Sequence, residues 1–400
     1  MPGLAEALFS IEEGIDTGLV WNEDSIRFGT RLDSVVPKYT LEATAGAAFI
    51  TSPDTVCELT GYDTLDFTKS PIYLTIRSSD GTTTKVYEIV TTVHQVDPDL
   101  YTWQQLTSSI YPTDESEQQV VELNGAFVMI TDNGFQKQAY SSINGEQWMA
   151  LGQTQNLPAG AHIRQIISDG KQLYYADAKS IYTSNNAIQW TKIDINYHTY
   201  TMLLYWNQAI WALVENNGYE LAIWDGQQMQ LSGLRPTNNF PLGNFASVCF
   251  QSASLRERAM IIGGFAKNGQ ALNTRWNLEY SPNIATNNGY RIEEFTIDRP
   301  NFTTLTGVSV IWYNKQLLMF GGVDEDMNYI GRDILYSKDE GLNWYMVDTT
   351  KNQLPAHYLA RQKQNAIVKD NNIYLFGGQD KNNTYSDVYR GRLNSIDWDK

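Results

Sequence analysis

The 400-residue sequence predicts an all-β chain, with a small β-sandwich followed by a β-propeller. The first observation is a unit that recurs six times between about residue 108 and the C-terminus. Each copy has an apolar strand, often ending in Gly-Gly, then a strand with Tyr-Ser, a tight turn and usually a tryptophan. Short strands repeating every 40 to 55 residues or so are typical of propellers. The second observation is composition: charged residues make up only 18%, while Gly, Tyr, Trp and Thr are plentiful, which favours strands over helices.

The elements of the propeller follow from these repeats. The clearest Gly-Gly copies are AMIIGG (259–264), LLMFGG (317–322) and IYLFGG (373–378). We place the second strand of each blade at 126–130, 172–175, 208–213, 259–262, 316–320 and 372–376. Two long loops, 265–275 and 281–290, belong to the fourth blade. The segment Trp103–Leu106 resembles the outermost strands of other blades, so we expect it to help close the ring.

The first 100 residues have a different pattern and predict a separate immunoglobulin-like sandwich, with the propeller over 101–400. Strands are expected at 19–21, 39–43, 47–51, 72–78 and 84–93. Asp80-Gly81 joins the last two as a hairpin turn. Residues 6–13 are expected to form a short helix or a disordered lead-in.

Charge and composition exclude several classes of partner. The net charge of −16 disfavours nucleic acid and anionic lipid surfaces, since both require a basic patch. No apolar run reaches 18 residues, so no transmembrane helix is expected. The opening MPGLAEALFS lacks the features of a signal peptide. Cys57 and Cys249 are expected to be free and buried.

The turn at 337–344, SKDEGLNW, matches the Asp-box pattern of sialidase-like propellers, and the Gly-Gly strands resemble kelch repeats. The Asp-box residues here are Ser337, Asp339, Gly341 and Trp344. The resemblance implies a structural role, in which Ser and Asp bond the turn backbone and Trp packs between blades. A related turn is expected at Ser141, Gly145 and Trp148, without the Asp.

A second resemblance covers nearly the whole chain. The phrase WNEDSIRFGT (21–30) and the stretch 64–89 are similar to the N-terminal module of a Bacteroidetes family of exported lipoproteins of unknown function. The matching residues are Asn22, Asp24, Ser25, Gly29 and Thr30. The resemblance implies export, with the protein anchored at the outer membrane or lying in the periplasm, and a link to glycans. No cysteine for lipid attachment is present at the start of this sequence.

Three histidines occupy the same place in their blades and define a candidate binding site. They lie 14, 8 and 13 residues after the blade tryptophans 148, 190 and 344, each before the next innermost strand. Loops at this place surround the channel mouth of a propeller. We therefore expect a polar, aromatic pocket that suits sugars, or a lining that merely holds water. Its candidate residues are His162, Arg164, His198, Tyr200, His357, Tyr358 and Arg361, with Trp276 as an exposed platform.

Enzyme chemistry is not supported by the residue inventory. The Arg-Ile-Pro signature of sialidases is missing, a copper site would need a Tyr–Cys pair, and no metal-ligand spacing occurs. We therefore expect no cofactor and no metal. The leading hypothesis is non-catalytic glycan binding at the cell surface. The alternatives are a protein–protein scaffold in the cell envelope and a glycan-active hydrolase or lyase.

Overall fold

The computed structural model describes residues 3–38, 40, 45–60, 62–111, 117–296 and 305–397. The chain divides between Leu100 and Tyr101 into two compact units. Helical segments in the described residues are short 3-10 turns at Leu4–Glu6, Ile163–Gln165, Asn287–Gly289 and Asn394–Asp397. Across these ranges, no helix is long and apolar enough to cross a membrane.

The strands of the first unit form one six-stranded sheet in the order β1-β2-β6-β5-β3-β4. Strands β2 and β6 are parallel, and the other neighbours are antiparallel. Their bounds are β1 Phe9–Glu12, β2 Gly18–Asn22, β3 Ala45–Ser52, β4 Thr55–Glu58, β5 Ile72–Ser78 and β6 Thr84–Val90.

This single sheet differs from the expected immunoglobulin-like sandwich, since no second sheet occurs in the described part of the unit. The physical reason is visible in its core. Ala48, Ile50 and Ile72 on the sheet are covered by Leu59 and Leu65, which lie outside the named strands. Side chains from connecting segments therefore exclude water from this face.

Most of the expected strands of the first unit coincide with observed ones, and the exceptions are at its edges. Strand β1 replaces the helix or lead-in expected at 6–13, and β4 was not expected at all. The strand expected at 39–43 lies outside the described residues, apart from Thr40.

Asn22, the first residue of the family phrase, has a structural role. Its amide nitrogen donates to the carbonyl of Thr92 at 2.9 Å, and its Oδ1 accepts from the Thr92 N–H at 2.7 Å. Only 5% of the residue is exposed. Asn22 thus extends the β2–β6 pairing beyond the sheet by imitating a backbone amide.

The second unit is a β-propeller made of consecutive antiparallel sheets. The sheets contain β8–β11, β12–β17, β18–β21, β22–β25, and β26–β28 with β7. The strand bounds from β7 to β17 are Tyr101–Thr107, Glu117–Leu123, Ala126–Asp132, Lys137–Ser142, Met149–Gln153, Ile167–Ser168, Leu173–Ser184, Thr191–Trp206, Ala209–Glu215, Tyr219–Trp224 and Met229–Leu231. Those from β18 to β28 are Ala246–Gln251, Glu257–Ile262, Thr274–Tyr280, Tyr290–Thr296, Ser309–Tyr313, Gln316–Phe320, Ile334–Ser337, Tyr345–Met346, Asn365–Lys369, Asn372–Gln379 and Thr384–Leu393.

Strand β14 explains why one sheet has six strands. It is 16 residues long, and its first part pairs with β13 while its second part pairs with β15. It therefore serves as the outer strand of one group of strands and as the inner strand of the next.

The inner strands β8, β12, β14, β18, β22 and β26 contact one another in sequence, and β26 contacts β8. They surround the centre of the unit. Apolar clusters fill the spaces between successive groups of strands; one of them packs Met260, Val310 and Trp344 together. Burial between stacked sheets is thus the main source of hydrophobic stabilisation here.

The ring is closed by β7, the first strand of the unit, which pairs antiparallel with the last strand, β28. Trp103 lies opposite Gly391 in this pairing. The expectation that residues 103–106 help to close the ring is confirmed. Closure matters because it pairs an edge that would otherwise present unpaired backbone groups.

Hydrogen bonds from side chains to the backbone hold the turn at 337–344. The Ser337 hydroxyl donates to Asp339 Oδ1 and accepts from the Gly341 N–H, both at 2.8 Å. Asp339 also accepts from the Asn343 N–H at 2.8 Å. Trp344 is 1% exposed and belongs to the cluster around Met260.

The equivalent turn in the sheet β8–β11 is built on Ser142, and not on Ser141 as expected from the sequence. The Ser142 hydroxyl accepts from the Gly145 N–H at 2.9 Å, and Asn144 takes the place of the aspartate. One residue fewer separates serine from glycine in this copy, which is why spacing alone selected the wrong serine.

Candidate functional site

A cavity of about 370 Å³ lies at the centre of the propeller. Residues from all the inner strands, or from the segments leading into them, line it: Glu117, Gln119, Ile167, Leu203, Ala246, Ser247, Ser309 and Asn365 are examples. His162 and Arg164 also line it, as expected from the sequence. The aromatic rings in its wall are Phe245 and Phe265.

Much of the polar lining is used to hold neighbouring inner strands together. Ser247 donates to the carbonyl of Leu203 at 3.0 Å, and Ser309 donates to the carbonyl of Gln364. Asn365 donates to the side chain of Gln119 at 3.0 Å. These side chains form a belt of hydrogen bonds around the cavity. We therefore assign them the structural role of holding neighbouring inner strands together.

Backbone groups continue this belt at the loops before the inner strands. The Gly307 N–H donates to the carbonyl of Asn244 at 2.9 Å, and the Lys363 N–H donates to the carbonyl of Gly307 at 2.7 Å. Asn244, Gly307 and Lys363 have positive φ angles of 53°, 66° and 56°. The repeated left-handed conformation turns each loop towards its neighbour.

Arg164 joins the belt through one nitrogen. Its Nη1 donates to the carbonyl of Lys363 at 2.5 Å and to that of Gln118 at 3.1 Å. Burial lowers the pKa of the guanidinium to about 10, while the nearby Glu117 acts in the opposite direction. The remaining guanidinium nitrogens make no hydrogen bond within the described residues, so Arg164 retains free donors beside the cavity.

Gln364 is another lining residue with unused hydrogen-bonding capacity. Its Oε1 accepts from the Tyr358 hydroxyl. Its Nε2 is buried without a partner in the described part of the chain, and the residue is 1% exposed. A Cβ on Gly321 would lie 2.9 Å from this nitrogen, so the nitrogen packs against protein and is not accessible from the cavity.

The other predicted site residues do not line this cavity. His198 and Tyr200 lie on β14, with ring centroids 5.4 Å apart, and Lys267 approaches the Tyr200 ring at 5.4 Å. Tyr200 also packs edge-on against Tyr219. This is a separate aromatic cluster, because the part of β14 that lines the cavity begins further along the strand, at Met202 and Leu203.

Tyr358 and Arg361 are buried, at 2% and 1% exposure, which corrects the expectation that they face a pocket. Arg361 forms an ion pair with Asp387 and lies between the rings of Tyr358 and Tyr385, at 4.2 and 4.1 Å. His357 is exposed, and its ring lies 5.6 Å from that of Tyr389. The group stabilises the loop before β26.

Trp276 is also buried, at 2% exposure, so the expectation of an exposed platform is wrong. Its ring packs against Phe240 at 5.1 Å in a core cluster with Trp211 and Leu278. The long loop before it suggested exposure, but Trp276 lies within β20, where alternation turns it inwards.

Sequence reasoning missed Glu117, Gln165, Phe245, Phe265 and Gln364. Their positions in the sequence could have identified them, because each lies at or near the start of an inner strand or in a loop next to one. An alignment of the inner strands with one another would have placed most of them at the channel mouth.

The comparisons with known proteins agree with this architecture. A family model described as the DUF6242 beta propeller domain matches residues 97–400. A model described as the Domain of unknown function (DUF6242) N-terminal domain matches residues 2–91.

The chain belongs to the DUF6242 family. The resemblance to a family of unknown function is thereby confirmed in its coarser form. The comparison with curated proteins found no match. A solved structure titled "Structure of YjhT" is similar to the DUF6242 chain, with a TM-score of 0.51 and 13% identity. The match covers 71% of this chain and 96% of that one, and at this identity it shows a shared fold alone.

Proposed function

We propose that this protein is a non-catalytic binding protein that takes a glycan in the central cavity of its propeller. One observation carries the proposal: the polar cavity of about 370 Å³ is lined by Arg164, whose guanidinium keeps donors that no described residue accepts after its structural hydrogen bonds are made. Pockets for small ligands are usually of this size or larger.

The lining suits a sugar more than an apolar ligand. His162 is exposed and lies at the wall, and Arg164 offers guanidinium donors there. Phe245 and Phe265 supply apolar surface for the C–H faces of a sugar ring. Hydroxyl groups can pair with the donors, while the rings cover the remaining ligand surface.

A binding role is favoured over hydrolysis because the cavity offers one carboxylate. Glu117 is the single acidic side chain among the described residues of its wall. Glycosidases usually place two carboxyl groups about 5 to 10 Å apart around the scissile bond. Across the described ranges, no group of three His, Cys, Asp or Glu side chains is arranged to hold a metal ion.

We also propose a six-bladed, kelch-like ring for the propeller. Support comes from the six inner strands in sequential contact and from the shared strand β14, which makes the six-stranded sheet count as two blades. Export to the cell envelope, with a lipid anchor at the outer membrane or a periplasmic location, is proposed from the resemblance of residues 21–30 to Bacteroidetes lipoproteins.

The experiment is a glycan-array screen, followed by titration of the glycans that bind. The test variant is His162→Ala, since this side chain lines the cavity without belonging to the hydrogen-bond belt. We expect about tenfold weaker binding, equivalent to about 1.4 kcal/mol. The matched control is His357→Ala, an exposed histidine in an equivalent loop that does not line the cavity.

Equal losses in both variants would contradict a ligand in the cavity. Absence of any bound glycan would overturn the glycan proposal and move attention to a protein partner, sought by pull-down from envelope extracts. Arg361 is unsuitable as a test, because its removal would leave Asp387 unpaired in the core.

A further inference from the structure

We propose that the cavity recognises an uncharged sugar unit, whose hydroxyl groups donate to Glu117 and accept from Arg164. This inference rests on the proposed function and names the chemical class of glycan. Uronic acids and sulfated sugars would bind more weakly, because their negative charge would meet a carboxylate.

The charge of the cavity wall is balanced within one pair of residues. Among the described residues of the wall, Arg164 is the single Lys or Arg side chain and Glu117 the single carboxylate. The two lie near each other, because Arg164 Nη1 donates to the carbonyl of Gln118, the residue after Glu117. An anionic ligand would meet the carboxylate and a cationic ligand the guanidinium, whereas an uncharged ligand avoids both repulsions.

Both members of the pair keep free hydrogen-bonding groups. The Glu117 carboxylate accepts no hydrogen bond from a described residue, its side chain is 32% exposed, and Lys363 Nζ lies 4.0 Å from its Oε1. Arg164 is half-buried and uses Nη1 alone, for two carbonyl oxygens. A sugar hydroxyl both donates and accepts, so hydroxyl groups can pair with the carboxylate and the guanidinium together.

This polar side of the wall is held in place before a ligand binds. Arg164 is fixed by carbonyl oxygens on β8 and in the loop before β26. Gln119, also on β8, donates from Nε2 to the carbonyl of Ile166 at 3.1 Å and accepts at Oε1 from Asn365 at 3.0 Å. Because these side chains are already ordered, less conformational entropy is lost on binding.

Two aromatic rings lie across the cavity from this pair. In the ring of inner strands, β18 is three places from β8, the strand that begins at Glu117, in either direction. Phe245 immediately precedes β18, and the Phe265 N–H donates to the carbonyl of Gly243 in the same loop at 2.9 Å. The cavity is therefore polar on one side and aromatic on the other. A sugar ring can turn hydroxyl groups to the first and C–H groups to the second.

The experiment is calorimetric titration of the full chain with oligosaccharides of equal length. Neutral probes are built from glucose, galactose or mannose units, and the acidic probe from galacturonate units. Galacturonate differs from galactose in one carboxylate, so these two probes form a matched pair. We expect a neutral oligosaccharide to bind at least tenfold more tightly than the galacturonate oligosaccharide, with an affinity that changes little as salt rises.

The decisive variant is Glu117→Gln, which keeps the size of the side chain and replaces the carboxylate with a weaker acceptor. We expect the neutral oligosaccharide to bind about tenfold more weakly and the galacturonate oligosaccharide no more weakly than before, so that selectivity falls. The control is Glu122→Gln. This residue is also half-buried on β8, does not line the cavity, and should leave both affinities unchanged. Should Glu117→Gln fold poorly in a thermal melt, Glu117→Ala provides the same test without an amide.

The outcomes separate this inference from the proposed function. Equal or tighter binding of the galacturonate oligosaccharide would overturn the preference for an uncharged sugar and leave the glycan proposal standing. Unchanged selectivity in Glu117→Gln would overturn the role of the carboxylate. Absence of binding by every oligosaccharide would contradict the proposed function itself.

Discussion

Single glycines determine how closely the loops of the propeller approach each other. In the Gly-Gly pairs at 263–264, 321–322 and 377–378, every residue has a positive φ angle. A Cβ on Gly321 would lie 2.6 Å from the carbonyl oxygen of Arg361, in the loop leading to the next inner strand. A Cβ on Gly322 would contact Val308, in the loop of its own sheet. The pair therefore lets one turn pack against two loops.

Gly377 provides the clearest test, because it packs against the first sheet across the closure of the ring. A Cβ at Gly377 would overlap the side-chain amide of Gln118. We expect Gly377→Ala to destabilise the protein by about 3 kcal/mol, from the left-handed backbone together with overpacking. Urea unfolding measures the change.

The control for that substitution is Gly134→Ala. Gly134 also has a positive φ, 85°, but no atom lies within 4 Å of the Cβ position. Only the backbone strain of about 1 to 2 kcal/mol should remain. Equal costs at the two positions would contradict the packing argument.

Sequence was informative about glycines and less so about aromatic and charged residues. The Gly-Gly pairs indicate an unusual backbone wherever they occur. Trp276 and Arg361, by contrast, were expected to be accessible to a ligand, because the residues next to them in the sequence resemble loop residues. Their burial depends on Phe240 and Asp387, which meet them only in the folded chain.

The turn at 337–344 has counterparts in two other sheets, at 142–148 and 184–190, which use different residues. Asn144 and Asn186 occupy the place of Asp339, and Ala187, with φ of 65°, occupies the place of Gly145 and Gly341. Trp148 and Trp190 donate from the indole nitrogen to the carbonyl of the residue three before them, at 3.0 and 3.1 Å. The turn geometry thus tolerates substitution of its acid and of its glycine.

Asp339 makes the turn at 337–344, in the sheet β22–β25, sensitive to pH. Burial raises its pKa and is the largest single influence, but the hydrogen bonds from Asn343 and Ser337 together outweigh it and hold the pKa below 3.8. The ionised carboxylate therefore stabilises the fold above the unfolded-state value of 3.8, and this contribution is lost as pH falls through the lower folded-state pKa.

We accordingly expect Asp339→Asn to cost about 1 to 2 kcal/mol at pH 7 and progressively less below pH of about 4. Urea unfolding at a series of pH values measures both. Asp326→Asn, in an exposed loop, should change stability by less than about 0.5 kcal/mol throughout. A constant difference between Asp339→Asn and the parent chain at every pH would contradict the role of ionisation.

Pairing of β7 with β28 depends on the absence of a side chain at Gly391. A Cβ there would overlap the indole ring of Trp103. We expect Gly391→Ala to destabilise the protein by about 1 to 3 kcal/mol, and to cost at least about 1 kcal/mol less when Trp103 is already alanine. A double-mutant cycle by urea unfolding measures this coupling, and purely additive effects would contradict it.

Strands with buried, regular patterns were predictable, and short edge strands were not. β23 and β27 carry four or more successive buried residues and were placed correctly. β1 and β4 have four residues each and expose most of them, so they lack the alternation by which a strand is recognised.

At the scale of the whole molecule, the boundary between the units has a testable position. Residues 1–100 end immediately before β7, so their removal leaves every strand of the propeller in place. We expect a variant beginning at residue 98 to unfold cooperatively. A variant beginning at residue 108 lacks β7 and should lose several kcal/mol or fail to fold, because β28 would become an unpaired edge. Circular dichroism melting distinguishes them.

The position of the central cavity could be predicted from the sequence, but most of the residues that line it could not. The repeat spacing located His162 and Arg164 correctly, since both precede an inner strand. It also selected His198 and His357, because a similar place in the repeat does not ensure that the side chains point in the same direction. Gln364 also lines the cavity, and no motif around it in the sequence indicates this position.

Closure by β7 also has a consequence in time. Thr102, on β7, donates to Asn394, which lies 292 residues later in the chain. At roughly 5 to 20 residues per second of synthesis, the ribosome needs about 15 to 60 s to complete the intervening chain. The strand that completes the ring therefore leaves the ribosome before every other strand of the propeller and pairs last, and throughout that interval its backbone groups are open to pairing with other nascent chains.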